Sequence, residues 1–449
     1  MTSSSSAPAA PGAPASVADD LLRYIDASPT PYHAVNETVR RLELQGYRHL
    51  DEREPWQLRA GDKVYVVRGG TSVVAFHLGR SPLTRAGFRL VGSHTDSPNL
   101  RVKPQPHHAR AGVHQLGVEV YGGVLWHTWL DRDLSLAGRV LTLRAGVQAG
   151  HLVDFGRKSL LRIPNLAIHL NRQVNTEGLK LNPQEHLVPL FALEAGGPVD
   201  LRALLAEQLS ASHGAVAGPY AAADVVGWDL CLYDVQPSTR SGLRGEFLHA
   251  PRLDNLASCH AALTALLSVQ GTPEATCGVV LYDHEEVGST SAQGAASPFL
   301  RHLLERLVMA HGDGQPDAFH RVVRRSWMVS ADMAHALHPN YADRHEPRHA
   351  PILGKGPVLK SNVNQSYATD GEGWALWEGL CREAGVVPQH FVTRTDLPCG
   401  STIGPLTAGE LGMPTVDVGG PMLSMHSIRE MAAASDVEAM VAVLRQLFR

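Results

Sequence analysis

The stretch Leu90–Asn99 (LVGSHTDSPN) runs from an apolar segment, Phe88 to Val91, into a polar turn that carries His94 and Asp96. This is the pattern of a buried strand whose end faces a ligand, as in open α/β sheets. A neutral imidazole at a strand end can hold a metal, and a carboxylate two residues on can fix the tautomer of an imidazole. A turn with a capping aspartate has the same appearance in a chain with 24 histidines. Four further stretches weigh against that bland reading. They carry Asp254 (LDNLAS), Glu285 and Glu286 (LYDHEEVGS), Asp332 (VSADMAHALHPNY) and His426 (PMLSMHSIRE). Each places a ligand-type residue after a strand-like run or at a helix start. His, Asp, Glu, Asp and His together make the donor set of two neighbouring zinc ions that share one carboxylate. The paired glutamates supply one carboxylate for a metal and another for a proton, although the residues alone do not say which is which. The chemistry is that of a two-metal hydrolase.

These residues need a sheet behind them. Thr276 to Tyr282 reads as a strand running into Asp283-His284-Glu285-Glu286, and Trp327 to Val329 leads to Asp332. Pro414 to Val418 reads as a strand with His426 in the loop beyond it, and Asp254 opens a helix over Leu256 to Val269. Two helices are expected near the start: Val17 to Ile25, then one with Thr30 as N-cap, Pro31 at its first position and Gly46 at its close. Lys63 to Arg68 and Thr71 to Leu78, parted by two glycines, read as a hairpin. A last helix is expected with a capping box from Ser435 to Glu438. Strands alternating with helices argue for an α/β sheet of mixed strand direction. Between Leu100 and Arg244 the texture changes to short β-type runs (VHQLGVEVYGG, GRVLTLRAG, DVVGWDLCLYDV), with a helix only near Asp200 to Leu209. The expected organisation is a tail at 1–16, a catalytic domain made of 17–99 and 245–449, and an inserted β-rich domain at 100–244.

Composition narrows the class. A chain of 449 residues, 44% hydrophobic, is ample for two cores. The formal charge of −4 gives no reason to expect nucleic acid or an anionic membrane as partner, and no apolar stretch approaches the ~20 residues of a span. Five scattered cysteines without a C-x-x-C pair argue for a reducing compartment, and MTSSSSAPAAPGAPAS reads as a tail and not a secretory signal. A cytoplasmic location is expected.

The stretches HTDSPNLRVKP, RLDN, DHEEVGSTSAQGA, SADMAHALHPNY, DLPCGSTIGP and MHSIREM, in this order, resemble the aspartyl aminopeptidase family of cocatalytic zinc exopeptidases, from about Ser28 to the C-terminus. The resemblance implies hydrolysis of N-terminal Asp and Glu from peptides by two zinc ions per subunit, with Mn2+ or Co2+ able to substitute. It implies that Asp254 bridges the metals, His94 and Asp332 complete one, and Glu286 and His426 complete the other. Glu285 is then the general base, since the family order puts the base first, and Asp96 orients His94. Lys360 becomes the partner of an acidic substrate side chain, where it would otherwise pass for a surface lysine. Tyr367 becomes a donor to the oxyanion. Asp370, close behind, departs from the pattern by adding an acid near the pocket. His169 (IPNLAIHLNRQVN), which by itself reads as a core histidine in a strand, is implied to be an accessory or intersubunit ligand. The inserted domain is implied to build a tetrahedral homo-dodecamer. Two other readings keep part of this chemistry: a two-zinc deacylase of small N-acyl substrates, and a catalytically silent assembly scaffold.

Overall fold

The computed structural model describes residues 16–312 and 314–449. Its largest sheet has nine strands, in the order Arg48–His49, Lys63–Arg68, Ser72–His77, Thr276–Tyr282, Phe88–His94, Trp327–Ala331, Thr415–Gly419, Val358–Lys360 and Gln389–Phe391. The four central strands, from Thr276–Tyr282 to Thr415–Gly419, run parallel. Parallel strands covered on both faces read as unbroken apolar runs. Here every residue of Thr276–Tyr282 is buried, and so is every residue of the adjoining Ser72–His77, which runs antiparallel to both its neighbours.

The period of two sorts those side chains between two cores. Val73, Ala75, Val279 and Leu281 face the helices Val17–Asp26, Leu253–Leu267 and Ala434–Leu447. Val74, Phe76, Val280 and Tyr282 face Phe299–His311 and Ala318–Arg325. The result is a three-layer α/β/α body, whose sheet is mixed as the strand and helix pattern anticipates. Gly404 has the packing role its surroundings suggest: a Cβ there would lie 2.2 Å from Asp417 Oδ2, on the neighbouring strand.

A second sheet of six strands is antiparallel throughout and is built wholly from the segment between Asn99 and Asp234. The helix Leu201–Ala217 packs Leu201, Leu205 and Leu209 into its core. A third sheet of five short strands carries Ala334–His335, Pro421–Leu423 and Glu430–Ala433 beneath the mouth of the parallel strands. Among the described residues no helix is long and apolar enough to cross a membrane.

Several local expectations need correction. Ser16 belongs to the first helix, whose Asp19 N–H its side chain caps; the rest of the expected tail lies outside the described residues. The last helix, Ala434–Leu447, has no side-chain cap and therefore no capping box. Its strand runs straight into it, and the Ala434 N–H donates to Glu246 O instead. His169 is not in a strand. It lies on a short 3-10 turn, Ile168–Leu170, whose residues are all exposed.

Candidate active site

The parallel register brings the site residues together. His94 ends its strand beside Tyr282 of the neighbouring strand, and Asp332 follows the strand Trp327–Ala331 on the other side. Glu285 and Glu286 lie on a 3-10 turn, Glu285–Val287, entered through His284 at φ +64. Asp254 stands at the start of Leu253–Leu267 with φ −81 and ψ 105, outside the helical range. His426 follows the short strand Pro421–Leu423 at φ +66. All line one cavity of about 440 Å³, together with Lys360, Tyr367 and Met425.

The two oxygens of Asp254 point to the two histidines. Oδ1 lies 3.5 Å from His94 Nε2, and Oδ2 lies 3.4 Å from His426 Nε2. Asp332 Oδ1 is 3.4 Å from His94 Nε2, and Glu286 Oε2 is 3.3 Å from His426 Nε2. Glu285 Oε2 stands farther off, 3.9 Å from His94 Nε2. Asp254 Oδ1, Glu286 Oε1 and Asp332 Oδ1 are buried and accept no hydrogen bond. Buried acceptors without donors are costly unless a cation meets them. Imidazole nitrogens and carboxylate oxygens are the donor types zinc takes, so the residues fit such an ion. His94, Asp254 and Glu286 by themselves each offer an atom within 4.8 Å of the others.

The electrostatics carry the same sign. Burial, then the surrounding carboxylates Asp332, Asp96 and Asp254, push the Glu285 carboxyl up to about 8. Burial and Asp254 likewise raise Glu286 well above the carboxylate range. Burial works against a charged His94, yet Asp254, Asp332 and Asp96 raise its pKa all the same. Acids outnumber bases here, and the excess negative charge favours a divalent cation.

Asp96 does more than face His94. The ring's Nδ1 lies 3.0 Å from the main-chain oxygen of Asp96 and 3.4 Å from its carboxylate. That carboxylate accepts the N–H groups of Glu285 and Glu286, each at 3.1 Å, and the hydroxyl of Tyr121 at 2.6 Å. Lys360 is 2% exposed, and its Nζ donates to Asp332 Oδ2 and Met333 O, each at 3.3 Å, so it is no surface lysine. Tyr367 is buried edge-on to Phe391. Asp370 is exposed and caps the helix Gly371–Ala384 through the Gly373 N–H, which removes the extra acid from the cavity. His169 does not line the cavity.

Residues of the antiparallel sheet that the sequence did not single out also reach the site. Besides Tyr121, the Gly123 carbonyl lies 3.1 Å from His426 Nδ1 and the Leu125 N–H donates to His426 O. Gly122 has φ +71, and a Cβ on it would sit 3.1 Å from Glu286 Cβ; one on Gly123 would sit 3.1 Å from His426 Nδ1. The glycine pair after an apolar strand was the visible signal. A second cavity of about 330 Å³ shares His335, Tyr367, Gly400 and Met425 with the first and is also lined by Arg344 and Arg394.

Imidazoles and carboxylates gathered at the mouth of a mixed sheet have the donor set of a metal-dependent hydrolase. The profile of a family described as aminopeptidase I zinc metalloprotease (M18) matches residues 24–448. A probable M18 family aminopeptidase 2 of Pseudomonas paraeruginosa is 51% identical over 425 residues, 94% of this chain and 96% of that one. Among solved structures, a chain of a cryo-EM structure of the Ape4 and Nbr1 complex has a TM-score of 0.92 at 40% identity, covering 96% of this chain and 85% of that one. The Saccharomyces cerevisiae mApe1 dodecamer has a TM-score of 0.82 at 32% identity, covering 96% of each chain. The chain therefore belongs to the M18 family and is a zinc metallo-aminopeptidase, which sets aside the deacylase and scaffold readings.

Proposed function

We propose that this aminopeptidase removes Asp and Glu from the N-termini of peptides, with two zinc ions per subunit that Mn2+ or Co2+ can replace. The observation that carries the reading is the carboxylate of Asp254, one oxygen toward His94 and the other toward His426. Asp254 would bridge, His94 and Asp332 would hold one ion, and Glu286 and His426 the other. When bound, two such ions polarise the scissile carbonyl and lower the pKa of the attacking water. Glu285, half-buried at the cavity edge, takes the water's proton and hands it to the leaving amine. Asp96 keeps the turn of Glu285 and Glu286 in place through their N–H groups. Tyr367, buried at the cavity wall, offers its phenol to the oxyanion.

Acid preference is supported by Lys360, whose buried ammonium lines the cavity and attracts a carboxylate side chain even while it holds Asp332. A catalytic domain, 17–99 with 245–449, and an inserted domain, 100–244, are supported by the six-stranded sheet, whose strands come from Asn99 to Asp234, although Thr239–Ser241 pairs in the third sheet. Assembly into a closed homo-oligomer, a tetrahedral dodecamer, is supported by Leu166, Ile168 and Leu170, 60%, 46% and 74% exposed on one loop of the inserted segment. His169 stands among them and would meet a neighbour's site. The enzyme would act on peptides in the cytoplasm.

The test joins metal analysis with hydrolysis of Asp-, Glu- and Leu-linked chromogenic amides. Two zinc ions per subunit and selective cleavage of the acidic amides are expected. Equal rates on Leu overturn the acidic preference, and activity that survives confirmed metal removal overturns the zinc mechanism.

A further inference from the structure

Asp254 and His426 share a structural problem. Neither has a backbone held by a regular ladder: Asp254 is non-helical inside its helix, and His426 sits at φ +66 between two short strands. Their side chains nonetheless have to be aimed to within a fraction of an ångström for a shared ion. Their carbonyls are held separately, Asp254 O by the Ser97 hydroxyl at 2.6 Å and His426 O by the Leu125 N–H at 3.1 Å, but their N–H groups share one residue. Glu430, 1% exposed at the start of the strand Glu430–Ala433, accepts the Asp254 N–H on Oε2 at 3.0 Å and the His426 N–H on Oε1 at 2.7 Å. Among the described residues no arginine or lysine pairs with this carboxylate, so its partners are those two amides. A buried acid without a cation costs folding free energy. A role in packing alone would be met as well by an apolar side chain.

We infer that Glu430 is a positioning residue, a carboxylate clamp that fixes the backbones of Asp254 and His426 and so presets the metal site. This rests on the reading of those two residues as ligands and goes beyond it, because Glu430 itself faces no metal. Asp96 shows the same device on the other ligand-bearing turn, its two oxygens taking the N–H groups of Glu285 and Glu286. Two buried carboxylates thereby anchor four residues of the site by their main chain.

The test is zinc retention in the full holoenzyme against a competing chelator, with Glu430→Gln, His426→Ala and Asp436→Asn beside the parent. Glutamine keeps the shape of glutamate, but its NH2 cannot accept, so one of the two amides loses its partner. Asp436 is the control: it is 2% exposed and accepts the N–H groups of Gly354 and Gly356 at 2.7 and 2.8 Å, at residues that do not line the site cavity. Glu430→Gln is expected to lower zinc affinity about 10–100-fold, the range for residues that orient a ligand. Asp436→Asn should lower the melting temperature and leave zinc retention unchanged. If His426→Ala keeps zinc like the parent, the ligand reading fails. If His426→Ala loses zinc and Glu430→Gln retains it like the parent, the clamp is overturned and the ligands stand. Should Glu430→Gln not fold, amide exchange in the parent holoenzyme decides. The Asp254 and His426 amides should exchange as slowly as those of Gly354 and Gly356, and fast exchange at either overturns the clamp.

Discussion

The nine-stranded and six-stranded sheets handle the same β-rich chemistry in opposite ways. In the first, the central strands are parallel, and every residue of Thr276–Tyr282 is buried up to the turn that carries Glu285 and Glu286. In the second, the antiparallel strands leave one side open: Val147–Asp154 has a single buried residue, and Leu143, Val147 and Leu193 are 48%, 68% and 67% exposed. The parallel strands lead into His94, Glu285, Glu286 and Asp332, while Asp254 stands at a helix start and His426 follows Pro421–Leu423 of the third sheet. The antiparallel sheet steadies them: Tyr121 holds Asp96, and Gly123 and Leu125 hold His426. Ile428, two residues past His426, is buried in the core of the antiparallel sheet. Part of the scaffold that aims the reactive side chains thus comes from the inserted segment, beside Asp96 and Glu430 of the larger body.

The sharpest way to test this division is to remove chemistry from the parallel sheet without touching its packing. Glu285→Gln keeps the volume of the side chain and none of its basicity. It should reduce kcat by about 10²–10⁴-fold with zinc content and melting temperature unchanged. Near-parental turnover would take Glu285 out of the proton-transfer role.

Next, a leucine can be replaced in each region. Leu281 is fully buried in the parallel sheet, so Leu281→Ala should cost about 2–5 kcal/mol in urea unfolding. Leu170 is 74% exposed, and Leu170→Ser should change subunit stability by less than about 0.5 kcal/mol while shifting light scattering toward smaller assemblies. A large loss of subunit stability at Leu170 would mean that the loop is held by its own chain.

Legibility in the sequence divides along the same line. The parallel strands were readable because burial on both faces leaves unbroken runs such as CGVVLY, and because His94, Asp332 and the glutamate pair fall at the ends of such runs. His169 was misread because Ile168 and Leu170 look like a core strand when they are in fact exposed. Tyr121 and Glu430 were missed for another reason. Their work depends on contacts 25 and 176 residues away along the chain, and local patterning carries no trace of these. The capping box failed because Ala433 leads from strand to helix with no turn for Ser435 to cap.

The dependence of one sheet on the other can be broken at a single hydrogen bond. Tyr121→Phe deletes the hydroxyl that donates to Asp96 Oδ2 at 2.6 Å and leaves a buried carboxylate one donor short. Activity should fall about 10–100-fold, in the range for groups that orient a metal's ligands. A variant as active as the parent would show that the parallel sheet holds Asp96 unaided.

The smallest effect concerns ion pairs in the two regions. Behind the parallel sheet, Glu37 is 8% exposed and accepts from Arg41 Nε and Arg40 Nε, each at 2.7 Å. Burial by itself would raise its pKa, but the hydrogen bonds from Arg40 and Arg41 hold it below the usual carboxylate value. An unfolded glutamate titrates near ~4.3, so between that pH and the lower folded pKa the unfolded chain binds more protons. Stability from Glu37 is therefore full above about pH 4.3 and is lost as the pH falls through the folded pKa. Glu37→Gln should cost about 1–3 kcal/mol at pH 7, and the gap between variant and parent should close as urea unfolding is followed down toward pH 3. In the antiparallel sheet Arg139 and Asp229 pair at 2.8 Å with side chains 32% and 42% exposed. Solvent screens such a pair, and Asp229→Asn should cost no more than about 1 kcal/mol. If the two substitutions cost the same at pH 7, burial does not separate the two regions electrostatically, and their contrast is one of packing alone.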